Sequence, residues 1–152
     1  MPHTSKENLV MTMQSVDVLY TAVATAENGR DGRVASDDGK LDVVVNPPKE
    51  MGGSGAGTNP EQLFAAGYSA CFQSALGVVA RQAGVRITGS RVTAHVGIGK
   101  TAEGGFGLAV ELLVAIPDVD AVTAKDLVEK AHQVCPYSNA TRGNISVELN
   151  LV

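Results

Sequence analysis

From Gln62 to Ala80 the chain carries no charged residue, while the stretches on either side alternate apolar and polar positions. The uncharged run predicts a helix that is apolar on every side and therefore has to be buried. Asn59 suits its N-cap, Pro60 its first helical position, and Thr58 with Glu61 reads as an overlapping capping box. Gly84 is a plausible stop. Gln62, Gly67, Ser69, Gln73, Ser74 and Gly77 interrupt the run and argue against a membrane span. Its many small residues would let another helix approach closely, and a second copy of the same helix is an economical partner.

Elsewhere the period is two, the mark of half-buried strands. Val16, Val18, Tyr20, Ala22 and Ala24 predict one strand, Arg33 to Ser36 a second and Leu41 to Val45 a third, joined by turns at residues 28–32 and 37–39 as an antiparallel meander. Pro47 and Pro48 end it. Residues 51–57 are glycine-rich but lack the Lys of a phosphate-binding loop, and read as a flexible connection into the helix. Val92 to Ile98 and Phe106 to Ile116 alternate again as a long hairpin, which puts His95 on its outer face. Thr123 with Asp126 opens an amphipathic helix whose stripe ends at Cys135; Pro136 terminates it, and Ile145, Val147, Leu149 and Leu151 form a last strand. His132 lies at the edge of that stripe, with no partner at metal-ligand spacing. These elements make an α+β domain over residues 16–152, preceded by a flexible arm, residues 1–15.

With 152 residues the chain is long enough for one core. A net charge of −4 without a basic run excludes the electrostatics of nucleic-acid or anionic-membrane binding. The first fifteen residues show no secretory pattern, so a cytosolic location is expected. There, two cysteines are more often catalytic, redox-active or simply reduced than a structural disulfide.

Cys71 could be no more than a small buried hydrophobe. Phe64, Gly67, Tyr68, Ala75 and Val78 at helical spacing give it a mostly apolar surround, which raises a thiol pKa, and it lies too deep for its own helix dipole to help. A reactive Cys71 needs a cation from elsewhere. Arg30, in the Gly29-Arg30-Asp31-Gly32 turn, is a candidate, with Glu61 as the carboxylate that orients it. Glu61 and Cys71 are ten residues apart in one helix, about 15 Å along its axis, so they cannot touch directly. An antiparallel copy of the helix would place one subunit's Glu61 near the other's Cys71. Cys135, at a helix C-terminus, is a poor first nucleophile but a serviceable second thiol.

Two blocks then carry a resemblance. Residues 59–72 (NPEQLFAAGYSACF) and 134–144 (VCPYSNATRGN) closely resemble the organic hydroperoxide resistance proteins of the Ohr/OsmC family, and the arginine-bearing turn at residues 29–32 fits the same pattern. The resemblance implies an OsmC-like fold, with antiparallel sheets wrapped around central helices in an intertwined homodimer. It implies a thiol peroxidase for alkyl and fatty-acid hydroperoxides, with Cys71 peroxidatic, Cys135 resolving, and Arg30 held by Glu61 to stabilise the thiolate and orient the peroxide. It also implies a dihydrolipoyl group on a lipoylated protein as reductant, with no metal or other cofactor. An enzyme of the sister OsmC branch and a non-catalytic redox sensor or apolar-ligand carrier are the rival readings.

Overall fold

The computed structural model describes residues 14–152; the predicted arm, residues 1–15, lies outside the described residues except for Gln14 and Ser15. In chain order the elements are β1 (Ala24–Glu27), β2 (Gly32–Ser36), β3 (Asp42–Val45), α1 (Pro60–Gln82), β4 (Arg91–Lys100), β5 (Phe106–Ala115), α2 (Ala121–Val134), α3 (Pro136–Thr141) and β6 (Val147–Leu151). They form two separate three-stranded sheets, β1-β2-β3 and β4-β5-β6.

The first sheet is the predicted meander, with one shift. Its first strand is Ala24–Glu27, and Val16 to Val23 take no strand partner among the described residues; Val16, Val18, Leu19 and Tyr20 are largely exposed. Alternation there gives an apolar face that nothing among the described residues covers. The second sheet carries the core. β4 pairs antiparallel with β5 along their whole length, so Val92, Ala94, Val96 and Ile98 share one face with Leu108, Val110, Leu112 and Val114. β6 runs parallel to β5, because α2 and α3 intervene and carry the chain back across the sheet. On the outer face His95 sits opposite Glu111, 3.1 Å from its carboxylate.

α1 packs on β4 and on α2 and α3, burying Tyr68, Phe72, Ala75, Leu76, Val79 and Ala80. These join Val110, Leu112, Val114, Leu127, Val128 and Ala131 in a single cluster. By length and apolar composition α1 could cross a membrane, but here one side of it is the inner wall of this core. The prediction of burial on every side holds for that side only: Gln62, Ala66, Ala70, Gln73 and Ser74 form an exposed stripe.

The loop before α1 is not the flexible connection expected. Lys49–Met51 form a 3-10 turn, the N–H groups of Gly53 and Gly55 bond the Pro48 and Pro47 carbonyls, and Thr58 bridges to β3 through bonds to Val44 and Asn46. Those bonds tether the start of α1 to the small sheet. Asn59 caps α1 as predicted, accepting the Gln62 N–H at 2.8 Å, but the Thr58 hydroxyl turns to the Gln62 amide at 2.6 Å. Glu61 is thereby left free for another partner. α2 likewise starts earlier than expected, with Asp120 as its cap, accepting the Thr123 N–H.

Candidate active site

The tether between β3 and α1 brings the Arg30 turn over the first turn of α1. Asn28 and Gly29 both adopt positive φ, and Asn46 Nδ2 donates to Asp31 Oδ1 at 2.6 Å, which fixes the turn against the segment leaving β3. Arg30 then donates to both Glu61 oxygens, at 3.0 and 2.8 Å. This planar two-bond geometry is the strong form of a guanidinium–carboxylate pair. The pair holds the Glu61 carboxyl below its usual range and pushes the guanidinium up. Beneath it lies a cavity of about 260 Å³ walled by Pro60, Phe64, Ile98, Phe106 and Leu108. Alternation had assigned Phe106 to the buried face, but it stands 69% exposed at the end of β5, on the cavity's rim.

The second constellation is the thiol pair. Cys71 lies on the inner side of α1 and Cys135 is the residue between α2 and α3; their sulfurs are 3.5 Å apart and unbonded. Cys135 is fully buried and Cys71 half-buried. Burial pushes the Cys71 thiol up, the Tyr137 backbone N–H pulls the other way, and the neighbouring Cys135 sulfur adds to the upward push. Two thiols this close do not both ionise, since the second charge is repelled by the first.

Sequence reasoning missed α3. Pro136, which the pattern predicts as a terminator, occupies the first position of a second helix, a placement for which proline is equally suited. That helix presents the Tyr137 N–H to Cys71. The Tyr137 ring packs with Phe64 and Tyr68, at centroid distances of 5.9 and 5.7 Å. Gly67 makes this approach possible, because a Cβ there would stand 2.6 Å from the Tyr137 hydroxyl. The aromatic cluster thus separates the two constellations: Phe64 faces the Arg30 cavity on one side and packs against the core around Cys71 on the other.

The four candidate residues are therefore brought together as two pairs, Arg30 with Glu61 and Cys71 with Cys135. Both side-chain hydrogen bonds of Arg30 go to Glu61, none to Cys71. Among the described residues no three His, Cys, Asp or Glu side chains converge as a metal site requires.

The pattern that defines OsmC-like proteins matches residues 52–150. The chain belongs to that family. Within it, an organic hydroperoxide resistance protein of Xanthomonas axonopodis pv. citri is 56% identical over 136 residues, covering 88% of this chain and 95% of the relative. An organic hydroperoxide resistance protein from Elizabethkingia anophelis superposes with a TM-score of 0.86 at 56% identity, over 90% of this chain and 98% of the other. OhrB of Bacillus subtilis superposes with a TM-score of 0.82 at 46% identity, over 89% and 100%. These identities place the chain in the organic hydroperoxide resistance branch of the OsmC-like family.

Proposed function

We propose that the chain is a cysteine-based thiol peroxidase, an oxidoreductase that reduces organic hydroperoxides to alcohols. The observation that carries the reading is the unbonded sulfur pair at 3.5 Å behind an aromatic wall. Cys71 as thiolate attacks the peroxide oxygen distal to the alkyl group; the O–O bond breaks, the alkoxide leaves and takes a proton, and Cys71 becomes a sulfenic acid. Cys135 then attacks that sulfur, water leaves, and a Cys71–Cys135 disulfide forms. An external dithiol, a dihydrolipoyl group on a lipoylated protein, reduces it and returns both thiols.

Burial alone keeps Cys71 protonated, so the reading requires a cation at work in the cycle. Arg30 fills that role, presented by Glu61, which cannot reach Cys71 along its own helix. In a homodimer with antiparallel α1 helices, one subunit's Arg30–Glu61 pair serves the other's Cys71. The exposed stripe on α1, with the small residues Ala66, Ala70 and Ser74, and the bare apolar face around Val16 to Val23 are what such a dimer would cover. Alkyl chains entering the cavity gain about 0.8 kcal/mol per buried methylene, which favours organic peroxides over hydrogen peroxide. We place the reaction in the cytoplasm, where thiols stay reduced, and assign it to residues 16–152 as one domain.

The test is steady-state consumption of an organic hydroperoxide by the pure protein with dihydrolipoamide. Turnover that falls to the uncatalysed rate in Cys71→Ser is expected; a folded, reduced parent that oxidises once and does not cycle would sink the enzyme reading in favour of a sensor.

A further inference from the structure

α3 is six residues long, and the residues it buries are Ser138 and Thr141, both polar. A helix this short is not held by its own propensity, and apolar burial contributes little beyond the partly exposed Tyr137 ring. Its directional anchors are hydrogen bonds. Ser138 Oγ stands 2.8 Å from the Tyr68 hydroxyl on α1 and 2.8 Å from His132 Nδ1 on α2. The Tyr68 hydroxyl also meets Thr141 Oγ1 at 3.0 Å. At the far end of α3, Arg142 donates to the His132 carbonyl at 2.8 Å and to the Asn139 side chain. Tyr68 and Ser138 are completely buried. Burial and the Arg142 charge hold the His132 ring below its ordinary pKa, so the neutral ring can accept from Ser138 through Nδ1. Ser138 then accepts from Tyr68, and the Thr141 hydroxyl, 3.0 Å from the Tyr68 oxygen and 3.3 Å from the Ser138 carbonyl, shares its proton between the two.

We propose that the chain His132–Ser138–Tyr68–Thr141 is the device that holds the two sulfurs at reacting distance, with Ser138 as its central positioning residue. Cys135 lies between α2 and α3, three residues before Ser138, so the docking of α3 sets where its sulfur lies. From 3.5 Å the sulfurs close by about 1.5 Å to reach a disulfide bond length. That approach is short enough to need no unfolding provided α3 stays in place. Among the described residues Ser138 is the side chain hydrogen-bonded to both α1 and α2, and its removal leaves His132 Nδ1 without this partner and Tyr68 with Thr141 only. Hydrogen bonds fix position more narrowly than apolar contact does, and positional precision is what an effective concentration measures.

This rests on the peroxidase reading only for its meaning in catalysis; the pairing itself is measurable without peroxide. The full-length protein is equilibrated with reduced and oxidised glutathione. In that exchange the Cys71 and Cys135 thiols together lose two electrons and two protons, and one glutathione disulfide gains them and leaves as two thiols. The equilibrium constant is the effective concentration of one thiol at the other. Ser138→Ala should lower it about tenfold, Tyr68→Phe, which keeps the ring, by a lesser factor, and the double variant by less than the product of the two. Leu127→Ala, which weakens the core without removing any of these hydrogen bonds, should lower denaturant stability while leaving the effective concentration within about twofold. Values within twofold of the parent for both Ser138→Ala and Tyr68→Phe, or an equal loss in Leu127→Ala, would overturn the proposal. If Ser138→Ala does not fold, Tyr68→Phe decides alone. A parent that forms the disulfide with glutathione yet does not turn over hydroperoxide would refute the peroxidase reading and leave this one standing.

Discussion

The two sheets are built from similar alternating sequences and end in opposite conditions. In β4-β5-β6, Leu112 and Val114 are completely buried and Val110 nearly so, under α1 and α2. In β1-β2-β3, Val45 is the one buried apolar residue, while Val44 is 60% exposed and β1 is exposed throughout. Alternation creates an apolar face in both; only the presence of something to cover it makes a core. The bare sheet is nevertheless the one that carries Arg30, anchored to the packed half through Thr58 and the Glu61 carboxylate. The packed half holds the sulfurs, Cys135 fully buried and Cys71 half-buried, and the bare half carries Arg30.

The sharpest test of that division uses mixed subunits. Arg30→Ala and Cys71→Ser, each inactive or nearly so, are combined by unfolding and refolding together; the mixture should regain hydroperoxide turnover well above either parent variant, because one site of each hybrid then has both groups. No recovery from a mixture shown to contain hybrids would break the trans assignment.

Next in size is the contrast in stability. Leu112→Ala should cost about 2–5 kcal/mol in denaturant unfolding, the range for emptying a closed core. Val44→Ala, in dilute protein, should cost within about 0.5 kcal/mol, as surface changes do. If Val44 lies under a second subunit its cost should grow with protein concentration, and equal costs for the two substitutions at low concentration would erase the distinction between the sheets.

A smaller effect links the halves through pH. Arg30 holds the Glu61 carboxyl below its ordinary 4.5 in the folded state, so the unfolded chain takes up that proton first as pH falls. The stabilisation is complete above the ordinary value and is lost as pH drops through the lower folded one. Glu61→Gln should therefore flatten part of the acid limb of the stability curve, read by thermal unfolding across pH 2 to 6, roughly the carboxylate range. An unchanged acid limb would mean that the pair does not bind the halves together.

The smallest expected effect is at Arg33–Asp42, which also joins neighbouring strands with two short bonds, but in the open. Asp42→Asn should leave the unfolding midpoint close to that of the parent in the same measurement, as for other solvent-screened surface pairs. A larger loss would show that the bare sheet is more strongly self-supporting than its burial indicates.

Much of this was legible beforehand. Asn59-Pro60 marks the start of α1 and Gly84, at positive φ, its end, because cap chemistry is local. The β4–β5 hairpin follows from uninterrupted alternation. α3 was not legible, since a proline that ends one helix and a proline that begins the next are the same residue in the sequence. Nor was the early part of the first predicted strand: Val16 to Ala22 have the pattern of a strand, but pairing needs a neighbour that pattern alone does not supply.

The sequence by itself determined most of the elements, the family and the four candidate residues, because propensity, capping and motif are properties of neighbours along the chain. Tertiary structure decided which of those residues meet. Arg30 reaches Glu61 only because Thr58 joins β3, and Cys135 reaches Cys71 only because α3 docks between α1 and α2. Contacts between residues 31 and 64 positions apart depend on how whole elements pack, and spacing along the chain carries no measure of that.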